Sequence, residues 1–331
     1  MSTFKFSAKL LSRAAELKSR PFFGLALGEL ISSDESIFFV SADSGRACSY
    51  DGLRSRFPDR VVECGICEQA AVGVAAGLSK RGKRPIYFAF APFASERCFE
   101  QIRVDIAYAM SNVIIVGAES GVAAGTQGIT HYGWEDMAVM RVLPGMTVMQ
   151  PADNLELLGC LNYALSTTGP VYIRLSGGKI PRPIYDSVPD LQGAPMKVLS
   201  RGKDVNILAA GFVLSEVLDA CNLLKDAGID AGAVDARIVK PLDETCLTGL
   251  SDCGLIVTAE EHSRLGGLGS AVAEFITDRA LPCRLLRLGF PDSYPCRVSN
   301  SAVMMTQYGL DAQGIASSVL AVLKSKNSSD L

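Results

Sequence analysis

The stretch ECGICEQAA, residues 63–71, places two carboxylates and two thiols where they could do chemistry. Cys64 and Cys67 have the CxxC spacing found in redox-active dithiols and in zinc sites. A redox role is disfavoured because Glu68 follows the pair directly, and a neighbouring negative charge raises the pKa of a thiol. A zinc site is disfavoured because no second CxxC and no HxxxH supplies the remaining ligands.

Glu68 stands at the start of a predicted helix, directly after a strand that reads as buried. A carboxylate in the first helical turn is common, because it complements the helix dipole by ~0.3–1 kcal/mol. That effect alone would explain Glu68. A chemical role therefore needs support from other parts of the sequence.

Histidines and glycines offer little independent chemistry. His131 and His262 are the only histidines, too few for a histidine-based metal site. The GGLG at 266–269 lies between a predicted strand and a predicted helix, but it does not complete the GxGxxG of dinucleotide-binding loops. A tight turn with close helix packing explains these glycines equally well, and no GxxxxGK[ST] loop is present.

The elements that must position these residues alternate between short apolar strands and helices. We predict strands at 36–43, 60–64, 84–90, 112–118, 146–151, 170–175, 204–211, 231–239, 254–262 and 284–290. Helices are predicted between them, for example at 68–82 and 154–166. Near-continuous apolar strands alternating with helices indicate parallel sheets covered on both faces. The predicted fold class is therefore α/β, with two doubly wound domains.

A connector rich in proline and glycine, at 177–197, separates the two α/β sets. We place the domain boundary within it, so that the first domain covers residues 1–190 and the second covers 191–331. The N-terminal 20 residues are predicted to form an amphipathic helix rather than a transit peptide. Its apolar side would carry four residues: Phe6, Leu10, Leu11 and Leu17.

Composition excludes several classes of function. Of the 331 residues, 48% are hydrophobic and 20% are charged, with a net charge of −3 and no basic stripe. Nucleic acid and membranes are therefore not expected as partners. No apolar run approaches the roughly 20 residues that a bilayer span needs. Ten cysteines, mostly in apolar settings, indicate a reducing compartment, so a cytoplasmic location is expected.

Several segments taken together resemble the C-terminal half of transketolase-type enzymes, which depend on thiamine diphosphate. The segments that carry the resemblance are 65–78, 90–103, 125–153, 234–243 and 258–274. It runs from about residue 20 to residue 322, with several motifs in the family's order. It implies a thiamine-diphosphate pyrimidine-binding domain followed by a transketolase C-terminal domain.

The resemblance gives Glu68 the role of the family's catalytic glutamate, which binds N1′ of the cofactor's aminopyrimidine ring. A buried carboxyl group can share a proton with that nitrogen, so that the cofactor's own amino group acts as a base. By the same resemblance, Phe93 stacks on the ring, and Phe90 and Arg97 lie close to it. His131 matches the histidine near the reacting carbons, where an imidazole can donate to an oxygen that gains charge.

Half of such a site is missing from the sequence. The family holds the diphosphate through Mg²⁺ with a GDG motif and a downstream Asn, and no GDG is present. Because the sequence opens with Met1, we expect the missing half on a separate N-terminal transketolase-like subunit, which would coordinate the Mg²⁺. Active sites of this family lie between chains, so an α₂β₂ heterotetramer is expected.

The predicted substrate positions include His131, which matches the family, and others that depart from the family pattern. Arg20 matches an arginine that binds the sugar phosphate. Glu119, however, stands where the family has a phosphate-binding His, and Gln127 replaces an Asp that reads a substrate hydroxyl. Gly177 falls where an Arg would hold the phosphate, and Ala47 falls near a phosphate-binding Ser. An acid in place of a cation repels a phosphate, so an ordinary phosphosugar acceptor is in doubt.

The resemblance implies a subunit of a two-component enzyme that transfers a two-carbon ketol unit from a ketose donor to an aldehyde-type acceptor. Two alternatives share the domains and the cofactor: the β subunit of a 2-oxo acid dehydrogenase and an enzyme like deoxyxylulose-phosphate synthase. A further alternative is a catalytically silent assembly partner. The presence of both Glu68 and His131 favours a catalytic role.

Overall fold

The computed structural model of the protein describes residues 3–48 and 50–327. Within these ranges, the side chains of Ala47, Tyr50 and residues 325–327 are not described. The prediction about Ala47 therefore lies outside the described residues.

The first sheet has seven strands. Six of them run parallel: β1 (Ile37–Ser41), β2 (Val61–Glu63), β3 (Arg84–Phe90), β4 (Ile114–Ala118), β5 (Thr147–Met149) and β6 (Val171–Leu175). The seventh strand, β10 (Ile238–Lys240), comes from the second half of the chain and pairs antiparallel with β5. The order across the sheet is β10-β5-β6-β4-β3-β1-β2. β4 and β6 are buried at every position, as strands covered on both faces should be.

The second sheet has five strands in the order β12-β11-β8-β9-β7. Their bounds are β7 (Lys197–Val198), β8 (Val205–Ala209), β9 (Ala231–Asp235), β11 (Leu255–Ser263) and β12 (Arg284–Phe290). All pairs are parallel except that of β7 with β9. The predicted fold class, two parallel-dominated α/β units, is confirmed.

Helices cover both faces of each sheet. Their bounds are α1 (Ala8–Leu11), α2 (Ser19–Ser33), α3 (Tyr50–Arg56), α4 (Glu68–Lys80), α5 (Ala91–Ala94), α6 (Phe99–Gln101), α7 (Asp136–Arg141), α8 (Asn154–Ser166), α9 (Val213–Asp226), α10 (Glu244–Leu250), α11 (Leu268–Asp278), α12 (Ser301–Gln307) and α13 (Ala312–Asn327). A π-helical segment, Ile102–Tyr108, follows α6. One core lies between the first sheet and α2 and α8; another, under α4, continues into the second sheet.

The predicted strand at 231–239 is wrong as a single element. The chain pairs with β8 through β9, turns, and joins the first sheet through β10, where Ile238 lies opposite Met149. Buried charges occupy the turn: Asp235 accepts a hydrogen bond from the Tyr185 hydroxyl at 2.6 Å. Arg237 lies 3.3 Å from Glu156 of α8. These partners lie far away in the sequence, so strand propensity alone could not reveal the break.

The predicted N-terminal helix is also much shorter than expected. It is limited to α1, within which Leu10 is buried while Leu11 is 36% exposed. The carbonyl groups of Ala14 and Leu17 accept hydrogen bonds from the Asn154 side chain at 2.8 and 2.9 Å, instead of continuing a helical ladder.

Among the described residues, no helix combines the length and the apolar character that crossing a membrane requires.

Candidate active site

Glu68 occupies the first position of α4, just beyond the C-terminal end of β2. Its carboxylate is buried, with 4% of the residue exposed. Its Oε1 accepts a hydrogen bond from Nη1 of Arg97 at 2.8 Å, and the carboxylate has no other side-chain hydrogen bond among the described residues. The buried carboxylate therefore keeps hydrogen-bonding capacity that a ligand could use. An acid that only complemented the helix dipole could instead remain in solvent.

Aromatic rings cluster beside Arg97, the partner of that carboxylate. Phe90 ends β3, and Phe93 lies in α5 with its ring centroid 6.1 Å from that of Phe90. The His131 ring lies edge-on, 5.2 Å from Phe93 and 6.2 Å from Phe90. The guanidinium carbon of Arg97 lies 4.0 Å from the Phe93 ring centroid, so one arginine contacts both the ring and Glu68.

These five predicted residues, Glu68, Phe90, Phe93, Arg97 and His131, line one cavity of about 470 Å³. It opens at the C-terminal edge of the first sheet, where ligands bind in open parallel sheets. Arg20 and Glu119 form an ion pair beside the cavity, behind Phe90. Gln127 lies on an exposed turn and is not part of the cavity lining, so its substrate role stays a prediction.

Sequence reasoning missed the opposite wall of the cavity. Asp43, Ser44 and Arg46 line it from the loop after β1. The Glu63 carboxylate holds this loop, because its Oε1 accepts hydrogen bonds from the backbone N–H groups of Asp43 at 2.7 Å and Gly65 at 2.8 Å. The position directly after a parallel strand was the signal that could have indicated these residues.

The surroundings of the CxxC do not favour a reactive thiolate. The pKa of Cys64 is raised, first by burial and then by the charge of Glu63 and by Cys67. The direction agrees with the sequence argument, although the acid responsible is Glu63 and not Glu68. Among residues 3–48 and 50–327, no three His, Cys, Asp or Glu side chains are grouped so that they could hold a metal ion.

The backbone N–H groups at the end of the GGLG segment, which a phosphate would need, already have a partner within the chain. The Glu260 carboxylate accepts hydrogen bonds from the backbone N–H groups of Leu268 at 2.7 Å and Gly269 at 2.9 Å, at the start of α11. An external phosphate would meet this carboxylate. The neighbouring His262 is buried, with its pKa lowered to about 4 by burial, and it accepts a hydrogen bond from Ala138 N–H at 3.3 Å. Both residues therefore hold helices in place: Glu260 binds the start of α11, and His262 binds α7.

The second half of the chain holds the loop that carries His131. Glu261 Oε1 accepts a hydrogen bond from the backbone N–H of Val122 at 2.9 Å. The Ser263 N–H donates to the carbonyl of Trp134, and the Trp134 ring stacks on Phe290 with centroids 4.1 Å apart. Since these contacts flank residue 131, the C-terminal unit fixes the position of this wall of the cavity.

Burial of Glu261 predicts a pH-dependent stability. Its pKa is raised from 4.5 to about 7, chiefly by burial. The folded state therefore holds a proton that the unfolded state has released, and the free energy of unfolding falls as pH rises from about 4.5 to about 7. Replacing Glu261 by Gln should remove this loss, so the variant should gain about 2–3 kcal/mol on wild type between pH 5 and pH 8.

Urea denaturation at the two pH values measures this gain, because comparing them cancels any effect of the substitution that does not depend on pH. The exposed Glu100→Gln is the control and should show no gain. Equal pH slopes in wild type and Glu261→Gln would contradict the assignment.

A larger cleft, of about 980 Å³, lies at the opposite edge of the first sheet. Its lining includes Lys5, Arg84, Asn112 and Tyr163, and none of the predicted site residues. Parallel sheets bind their ligands at the C-terminal edges of strands. The smaller cavity around Glu68 is therefore the better candidate site, because it combines that location with a buried carboxylate.

Comparison with known protein families identifies both halves of the chain. Residues 15–182 match the family described as "Transketolase, pyrimidine binding domain", and residues 195–315 match "Transketolase, C-terminal domain". The chain belongs to the transketolase family. The predicted family is thus confirmed. The domain boundary near residue 190 stays a prediction.

Three similar proteins extend over nearly the whole chain. One subunit of the apulose-4-phosphate transketolase of Phocaeicola vulgatus is 34% identical over 92% of this chain and 97% of its own length. The 6-deoxy-6-sulfo-D-fructose transketolase subunit SqwH of a Clostridium species is 36% identical over 90% and 92%. A solved "split gene transketolase, inactive beta4 tetramer" superposes with a TM-score of 0.83 at 36% identity, covering 93% of this chain and 98% of that one.

These transketolase relatives favour one of the predicted functions. Two are named as subunits and one as the product of a split gene, and each is matched over at least 92% of its own length. They support a subunit of a two-component transketolase-like enzyme, and they do not favour a 2-oxo acid dehydrogenase or a deoxyxylulose-phosphate synthase.

Proposed function

We propose that this chain is the subunit of a two-component transketolase that provides the pyrimidine half of a thiamine diphosphate site. The observation that carries the proposal is the buried Glu68 carboxylate, which faces an aromatic cavity with one oxygen held by Arg97. An aminopyrimidine ring can be bound by a carboxyl group, which hydrogen-bonds a ring nitrogen, together with aromatic side chains, which contact the face of the ring. The residues present therefore fit this part of the cofactor.

The residues would divide the work as follows. Glu68 would hold the aminopyrimidine through a ring nitrogen and share a proton with it, and Phe90 and Phe93 would contact the ring. Arg97 orients the Glu68 carboxylate through the 2.8 Å contact. His131 can donate a hydrogen bond to a substrate oxygen that gains negative charge. Thiamine diphosphate, when bound, supplies the nucleophilic carbon and the electron sink for ketol transfer.

The diphosphate half of the site would come from a partner. The sequence contains no GDG, and the described residues include no metal-binding cluster. We propose that an N-terminal transketolase-like subunit carries the GDG and the Mg²⁺, in a cytoplasmic α₂β₂ enzyme. The name of the solved relative, an inactive tetramer of β chains, supports the need for such a partner in that protein.

Reconstitution tests this proposal. The purified chain alone should show no ketol transfer from a ketose donor to an aldehyde, with thiamine diphosphate and Mg²⁺ present. Adding the GDG-containing partner should create activity that saturates at equal amounts of the two chains. Ketol transfer by the isolated chain at the rate of the complex would refute the split site.

A further inference from the structure

Glu119 is held in an uncommon backbone conformation at the end of β4. Its φ of +53° lies in the left-handed region, which disfavours residues other than glycine. Strain of this kind occurs preferentially at functional sites. The residue also lies at the C-terminal edge of the sheet, where the cavity opens, and only 6% of it is exposed. Its position thus invites a functional explanation.

The carboxylate of Glu119 neutralises an arginine beside the cavity. Arg20 Nε lies 2.7 Å from Glu119 Oε1. Burial raises the pKa of Glu119, and Arg20 partly opposes that rise. The guanidinium carbon of Arg20 lies 5.8 Å from the ring centroid of Phe90, which itself lines the cavity. The pair is therefore charge-balanced in itself and lies beside Phe90, and Lys18 is a further cation that acts on the Glu119 carboxylate.

The chain after the neighbouring strand carries no side chain beside Glu119, because residue 177 is a glycine. Gly177 follows β6, next to β4 in the sheet. A Cβ atom at position 177 would lie 2.2 Å from Glu119 Oε1 and 2.5 Å from its Cδ, which is far inside van der Waals contact. A side chain at residue 177 would therefore have to move the Glu119 carboxylate from its present position beside Arg20.

The cavity lining has no excess of positive charge either. Its charged residues are two acids and two arginines: Asp43, Glu68, Arg46 and Arg97. Arg97 is already engaged by Glu68. Including the Arg20–Glu119 pair leaves acids and arginines equal in number. At Arg97 or Arg20, a phosphate entering this space would have to displace a carboxylate from its arginine.

We propose that the Arg20–Glu119 pair determines acceptor specificity by keeping the positive charge of Arg20 neutralised beside the cavity, so that the enzyme takes aldehydes whose far end is uncharged. This inference rests on the proposed transketolase function. It would separate this chain from the two relatives whose names specify sugars with a phosphate or a sulfo group.

The test compares D-glyceraldehyde with D-glyceraldehyde 3-phosphate as acceptors for the reconstituted enzyme. Wild type should favour the unphosphorylated aldehyde in kcat/KM by ~10-fold or more. Glu119→Gln keeps the size of the side chain but frees Arg20, and should shift the ratio toward the phosphorylated acceptor by a similar factor. The exposed Glu100→Gln should leave the ratio unchanged. A wild-type preference for the phosphate, or a ratio unchanged in Glu119→Gln, would overturn the proposal.

A second variant and a second measurement keep the outcome decisive. Glu119→Gly removes the carboxylate and suits the left-handed backbone, which partly offsets the loss of the ion pair, so the variant should still fold. Calorimetric titration with inorganic phosphate needs no turnover. We expect Glu119→Gly to bind phosphate ~10-fold more tightly than wild type, and Arg20→Gln in the same chain to abolish the gain.

Equal phosphate affinity in wild type and Glu119→Gly would reject the specificity role even if ketol transfer occurs. Absence of ketol transfer with both acceptors would reject the proposed function instead, and the phosphate titration would still decide the role of Glu119.

Discussion

Replacing Glu68 by Gln should lower kcat of the reconstituted enzyme by at least ~100-fold, the typical effect of removing one acid–base group. Gln keeps the size of the side chain and can still accept a hydrogen bond from Arg97. It cannot share a proton with a ring nitrogen as a carboxylic acid can. The fold should persist, because the first-turn position of α4 gains only ~0.3–1 kcal/mol from the negative charge. Steady-state kinetics at saturating cofactor, with a circular dichroism spectrum, measure both effects.

Matched controls for this variant lie in the same segment. Cys64→Ser and Cys67→Ser should leave turnover largely intact, since the pKa of Cys64 is raised and the described residues around the CxxC form no metal cluster. A near-normal rate in Glu68→Gln would indicate that Glu68 only complements the dipole of α4 and has no catalytic role. Loss of turnover in a folded cysteine variant would instead indicate that the CxxC takes part in the chemistry.

The largest effect on stability is expected at Arg174, which is fully buried with Asp136. Its Nε lies 2.9 and 3.0 Å from the two Asp136 oxygens, and its Nη2 donates to the carbonyl groups of Gly133 and Glu261 at 2.8 Å each. Replacing Arg174 by Met would leave the buried Asp136 carboxylate without a counter-charge, with the Tyr172 hydroxyl still donating to it at 2.6 Å. The free energy of unfolding should fall by ~3–5 kcal/mol.

Urea denaturation, followed by the fluorescence of the single tryptophan, Trp134, measures this loss. Arg279→Met is the matched control, because Arg279 pairs with Glu244 at 2.6 Å where both side chains are more than half exposed. That variant should lose at most ~1 kcal/mol. Equal losses in the two variants would show that the buried pair contributes no more than a surface one.

Most of the fold was predictable because local patterns determine it. The apolar runs at 84–90 and 170–175 became β3 and β6, and the helix predicted at 154–166 became α8. The break between β9 and β10 was not predictable, because it depends on pairing of Ile238 with a strand of the other sheet. Short sequence windows hold no information about such distant partners.

The site was predictable only in part. Its residues come from the segments after β2, β3 and β4, and nothing in the residues themselves shows that Arg97 reaches Glu68. The resemblance to transketolases brought these segments together. It did not reveal Asp43 and Arg46, which line the cavity from the loop after β1. Nor could it show that Glu119 pairs with Arg20 and that its carboxylate lies against Gly177.

The most direct test of the account asks whether Glu68 activates the cofactor. Proton–deuterium exchange at C2 of thiamine diphosphate, bound to the reconstituted enzyme without substrate, can be followed by NMR after acid quenching. We expect rapid exchange in wild type and exchange slowed by at least ~100-fold in Glu68→Gln with the cofactor still bound. Equal exchange rates in the two enzymes would contradict the assignment of this cavity as the pyrimidine half of a thiamine diphosphate site.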